Sequence, residues 1–161
     1  MRRVFAGLVL VCVLLLTGCL ADPIQDDLLN YMNEELKTAQ TLEEEAVAAY
    51  EGVSGTNYQD DQTVYDTIIN QVIPTYTEFI GELEAVTIES EELQAIHDVF
   101  IEGAKLQLDG FDTILEGIET QDPAIIEEAN SLLAAGGEKI AEYHTKLKAL
   151  AEDHNVKIEK K

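Results

Sequence analysis

Three histidines, two cysteines and 32 carboxylate side chains are the groups in this 161-residue chain that could do chemistry. A helical di-metal carboxylate centre needs Glu-x-x-His pairs projecting inward from facing helices. The chain has none: Glu92 lies five residues before His97, Glu142 two before His144, and Asp153 directly before His154. A metal site made by His97, His144 and a nearby carboxylate is a weak alternative, because several ligands would have to converge. No serine is framed by a nucleophile elbow, no phosphate loop occurs, and Asp60-Asp61 lacks the calcium-loop pattern. No catalytic residue, metal or cofactor is therefore assigned. Of the thiols, Cys12 stands inside an apolar run and Cys19 closes it.

That run decides where the chain goes. Arg2 and Arg3 form a basic n-region, and residues 4–16 are apolar apart from Gly7, as in a secretory signal. A helix of that length reaches only about 20 Å, short of the ~30 Å hydrocarbon core, so a permanent span is the weaker reading. The run ends Leu16-Thr17-Gly18-Cys19 instead of in an Ala-x-Ala site. It resembles the lipobox of bacterial lipoproteins. The resemblance implies a diacylglyceryl group on Cys19, removal of residues 1–18 and a mature domain of residues 19–161. Two or three acyl chains on one residue hold a membrane stably where one does not. The expected location is the extracytoplasmic face of the cell membrane, with Cys19 as the anchor.

Removing Arg2 and Arg3 leaves eight lysines and no arginine against the 32 acidic residues. Such a surface repels nucleic acid, so the expected partners are the membrane, cations or a basic protein or peptide. The apolar residues recur too regularly for a disordered acidic chain, and no β-branched run alternates strictly. The class is all-α.

The elements that must position everything else follow from caps and periodicity. Asp22-Pro23 starts a first helix whose stripe runs Ile24, Leu28, Met32, Leu36, Ala39, Ala46 and Tyr50, ending near Glu51 before the breakers Gly52, Ser54, Gly55 and Asn57. A second begins at Asp60 or Asp61 and buries Tyr65, Ile68, Ile69, Val72, Tyr76, Phe79, Ile80 and Leu83. Pro74 should kink it by crowding the Asn70 carbonyl. Ser90 caps a third, with the stripe Leu93, Ile96, Phe100, Ala104, Leu108, Phe111, Leu115 and Ile118. Asp122-Pro123 starts a fourth that runs to about His154. Short connections then give an antiparallel up-down-up-down four-helix bundle. His97 and His144, beside Ile96 and Tyr143, are expected on the flanks of their stripes, and Glu43-Glu44-Glu45 on a solvated face.

In that arrangement the start of the first helix and the end of the fourth share the anchored end, where the basic tail Lys157, Lys160 and Lys161 would meet anionic lipid. The far end holds loop 52–60, and Val53 and Tyr58 within it are the partner-contact candidates. Midway, Gly136-Gly137 with Gly103 and Gly110 form a small-residue waist, read as close packing ahead of a pocket or hinge. Residues 22–154 resemble the small helical lipoproteins of low-GC Gram-positive bacteria, on stretches such as Asp26-Asp27-Leu28-Leu29-Asn30-Tyr31 and Glu43-Glu44-Glu45-Ala46-Val47-Ala48-Ala49-Tyr50. That resemblance implies no activity. The expected function is a non-catalytic interaction module of the cell envelope, with a small-molecule or cation-binding carrier or sensor as the alternative.

Overall fold

The computed structural model describes residues 22–158, and among them every regular element is helical. Helix α1 (Pro23–Asn30) passes through a π turn, Tyr31–Glu35, into α2 (Lys37–Glu51). Helix α3 (Asp61–Thr67) passes through a second π turn, Ile68–Val72, into α4 (Ile73–Ala85). Two uninterrupted helices follow, α5 (Glu91–Thr120) and α6 (Pro123–Asp153).

The starts are those the sequence signals. Asp22 accepts from the amides of Ile24 and Gln25 at 3.1 and 3.3 Å, with Pro23 occupying a position whose missing N–H costs nothing. Asp60 accepts from the Thr63 amide at 2.8 Å, and Asp122 from the Ala124 amide at 2.9 Å. Ser90 stands at the start of α5 but does not cap it with its own side chain. Instead the buried Asp27 of α1 reaches across: its Oδ2 accepts from the Ser90 amide at 2.9 Å and the Ser90 hydroxyl at 2.7 Å.

Both long helices end in the same device. The residue after the last turn takes a left-handed conformation, Gln121 at φ 54° and Asn155 at φ 57°, and the next amide turns back to a carbonyl five residues earlier. Asp122 bonds Gly117 in this way, and Val156 bonds Ala151 at 2.7 Å. This closes orphan carbonyls and, at Val156, folds an apolar side chain onto the body.

Pro74 does not simply kink its helix. The π turn lies immediately before it, so the register shifts by one residue where the ring would crowd the carbonyl four positions back. The turn at Tyr31–Glu35 has no proline and no signal in the apolar spacing.

Packing is tightest between α5 and α6, which run antiparallel. A Cβ on Gly103 would lie 3.0 Å from the Gly136 carbonyl, one on Gly110 within 2.9 Å of Leu133, and one on Gly117 2.5 Å from Ile126. Positions climbing α5 meet positions descending α6. The waist at Gly103 and Gly136 is thus close backbone approach, and it needs glycine on both sides. Helix α4 packs against α2 and α5, and the aromatic core Tyr76, Phe79, Phe100, Phe111 and Tyr143 lies within, with Phe100 stacked on Tyr143 at 4.3 Å.

Candidate functional site

His97 is the first candidate, and it is not on a flank. It is 2% exposed, while Ile96 is only half-buried. The signal was present in the sequence: Leu93, His97, Phe100 and Ala104 follow the helical period better than a stripe through Ile96. Its Nε2 lies 2.9 Å from the Leu83 carbonyl, which can only accept, so Nε2 carries the proton. Burial pushes the imidazole pKa below the usual histidine value and keeps the ring neutral. Nδ1 is then an acceptor and takes the Tyr31 hydroxyl proton at 2.9 Å. With that proton used, the 3.1 Å contact between the Tyr31 and Tyr143 hydroxyls is filled by the proton of Tyr143.

This chain joins α4, α5, α6 and the start of the first π turn. Tyr31 is fully buried, Tyr143 nearly so, and burial drives both phenols upward in pKa. The arrangement ties four segments together, and Tyr31 and Tyr143 were missed as a polar pair because each reads as an ordinary core aromatic.

A second polar layer sits at the waist. The buried Tyr76 hydroxyl donates to Gln107 Oε1 at 2.7 Å, and the Gln107 Cγ occupies the space a Cβ on Gly136 would need. Glu43 belongs to the same region and is half-buried, against the expectation of a wholly solvated Glu43-Glu44-Glu45 face. Burial, with a smaller contribution from Glu44, lifts its carboxyl pKa to about 7. Its charge in turn bears on Tyr76 and Tyr143. Glu44 and Glu45 are exposed as expected.

At the far end, α3 meets the end of α5 and the turn that follows it. Gln121 Nε2 donates to Asp61 Oδ2 at 3.4 Å, and the Tyr65 hydroxyl donates to Glu119. Asp61, Gln62, Tyr65, Ile118, Glu119 and Gln121 line a shallow cleft of about 410 Å³. Tyr58 stands beside it, 52% exposed, its hydroxyl 2.9 Å from Asp61 Oδ1. Val53 is half-buried and packs against the core, so the two contact candidates occupy different environments.

At the opposite end His154 Nδ1 meets Asp22 Oδ2 at 2.7 Å, and Gln25 Nε2 donates to the His154 carbonyl at 3.0 Å. The start of α1 and the end of α6 are therefore neighbours. Lys157 is exposed there; Cys19, Lys160 and Lys161 lie outside the described residues. His144 is exposed and far from forming a ligand set with the sealed His97, and among the described residues no three His, Cys, Asp or Glu side chains converge as a metal site would require.

Acids occupy both halves, and the basic residues separate them. Residues 43–72 and 106–138, which make the half containing loop 52–60, carry fifteen acidic residues and no Lys, Arg or His. All of them but Glu43 are exposed. No described helix is long and apolar enough to cross a membrane. Comparison of the chain with protein-family models, with curated proteins and with solved structures gave no match.

Proposed function

We propose that the protein is a lipid-anchored, non-catalytic interaction module that presents an anionic end to a basic protein or peptide on the outer face of the membrane. The observation that carries this reading is the one-sided placement of the cations: every Lys and His lies outside the two acidic stretches, while Cys19, the anchor in this reading, precedes Asp22 by three residues. Asp22 touches His154, so the anchored terminus and the lysine-bearing end of α6 belong to one end. Anionic headgroups attract nearby lysines by about 1 kcal/mol each. The acidic end is then the one held away from the bilayer, and long-range attraction of a cationic partner raises its encounter rate in a salt-dependent way.

In this reading the π turns join α1 to α2 and α3 to α4 into two rods, which with α5 and α6 make the up-down-up-down four-helix bundle. The antiparallel contact of α5 with α6 and the meeting of Asp22 with His154 support it.

Intact-mass measurement of membrane-extracted protein tests the anchor: residues 19–161 plus diacylglycerol is expected, and a chain retaining Met1 refutes it. Titration with an oligolysine peptide tests the anionic end. Binding should weaken steeply with salt and fall when Asp60, Asp61, Glu119 and Asp122 are changed to amides, but not when an equal number of acids near Asp26 are changed. The carrier alternative draws support from half-buried Glu43 beside the Tyr76–Gln107 pair. A rise in melting temperature with micromolar calcium, zinc or a small amine would favour it.

A further inference from the structure

Helix α1, like the seven-residue α3, is short and ends at a π turn. It is eight residues long, too short to be helical by itself, so its helicity depends on being docked. Only Asp27 and Leu28 of it are buried, and Leu29 is 41% exposed. Leu28 is fully buried and Ile24 packs against the core, and the polar fastenings sit at two points. At its start, Asp22 meets His154 Nδ1 at 2.7 Å and Gln25 bonds the His154 carbonyl. In its middle, the Asp27 carboxylate accepts from the Ser90 amide and hydroxyl and, at 3.3 Å, from the Glu89 amide.

Its far boundary is a π turn, closed by the Leu36 amide on the Tyr31 carbonyl at 3.1 Å. Such turns interrupt the regular hydrogen-bond ladder and mark hinges. Tyr31, the first residue of that turn, is fixed independently of α1: its hydroxyl bonds His97 and Tyr143, and its ring stands edge-on to His97 at 5.5 Å. Loss of α1 therefore stops at a pinned pivot instead of spreading into α2.

We propose that α1 is a strap that opens by itself, releasing Asp22, Gln25 and Asp27 from α5 and α6 while α2 through α6 stay folded. Opening uncovers the amides of Glu89 and Ser90 at the start of α5 and the seat of Leu28. The strap does not depend on lipidation of Cys19. If Cys19 is the anchor, the strap is the first folded element beyond it, and the two polar latches are what a pull from the membrane would meet.

Hydrogen exchange read by mass spectrometry on the full chain in detergent tests this. The amides of residues 26–30, with those of Glu89 and Ser90, should exchange at least ~100-fold faster than those of residues 40–50 and 100–115, as expected of a sub-global opening unit. Asp27→Asn, which keeps the shape and removes the charge, should speed exchange at these positions about tenfold and leave the rest unchanged. Asp22→Ala is the milder second variant and should do the same at residues 26–30. Equal protection of α1 and α2 in the wild-type chain overturns the proposal. So does a parallel rise across all helices in either variant, or loss of the whole fold in Asp27→Asn, because α1 would then be integral to the body.

Discussion

The two halves of this chain solve the same packing problem in opposite ways. Helices α5 and α6 run 30 and 31 residues without a break and are joined by backbone approach, with glycines at 103, 110, 117 and 136 where the other helix presses in. In the half from α1 to α4 a π turn separates α1 from α2 and another separates α3 from α4, and side chains reach the rest: Asp27 to Ser90, Tyr31 to His97, Tyr76 to Gln107. Shape complementarity joins α5 to α6, and buried polar bonds add to aromatic packing where α1 to α4 meet them. A shape contact tolerates no added atom, and a buried polar contact tolerates no missing partner.

The largest effect is expected where the halves are tied. His97→Ala removes a fully packed ring and takes one partner from the Tyr31 hydroxyl, which keeps Tyr143, and one from the Leu83 carbonyl, which keeps the Val86 amide. The cavity and the two lost buried bonds together should cost about 3 to 5 kcal/mol. Urea unfolding followed by circular dichroism should show a lower midpoint, with the α1–α4 half melting ahead of α5–α6. A midpoint within error of wild type would mean that the tie carries no stability and that the contrast between the halves is only descriptive.

Next comes the shape contact. In Gly136→Ala the new Cβ would lie 2.7 Å from the Gly103 carbonyl and 2.5 Å from Gln107 Cγ. The glutamine can shift, but the carbonyl is backbone and the helices must separate. Overpacking of this kind costs about 2 to 3 kcal/mol, against the small gain in helix propensity. Thermal melting checks it, and a stabilised variant would contradict the reading of the waist as close approach.

Much of this was legible in the residues. The starts at Asp22-Pro23, Asp60 and Asp122-Pro123 announce themselves, and the close packing at Gly103 and Gly136 follows from glycines placed inside helices. The rest was hidden for identifiable reasons. Asp27 caps a helix 63 positions away, and no local pattern reveals a cap supplied from another helix. The Tyr31–Glu35 turn adds a residue without proline or glycine, so apolar spacing absorbs it as noise. Glu43 is half-buried because it shares a face of α2 with the buried Ala39 and Ala46, four residues after one and three before the other. His97 and Glu43 were the errors the spacing itself could have prevented.

The polar side can be probed by pH. Glu43 has its carboxyl raised from 4.5 to about 7, so the folded state binds more protons than the unfolded state between those values. Stability from this group is present at low pH and is lost as pH rises through 7. His97 acts the other way: burial lowers its pKa, so its neutral contribution is intact above the ordinary value near 6.5 and declines as pH falls below it. Glu43→Gln removes the first effect alone. It should match wild type near pH 4.5 and exceed it by about 1 to 2 kcal/mol at pH 8, allowing for the carboxyl's partial access to water. Chemical denaturation at both pH values decides it, and a gain that is the same at both would assign the effect to packing.

The smallest predicted change isolates the principle within one helix. Gly137 is next to Gly136 but exposed, and a Cβ there would find nothing nearer than Gln107 Nε2 at 4.0 Å. Its glycine serves no contact, so alanine should help by restricting the unfolded chain and filling a helical position, worth about 0.5 to 1 kcal/mol. Adjacent glycines should therefore respond with opposite signs to the same substitution. Melting temperatures of Gly136→Ala and Gly137→Ala measured side by side would show this. If Gly137→Ala instead destabilised the protein, that exposed face would have to make a contact in solution, and the outer surface of α6 would become the place to look for a partner.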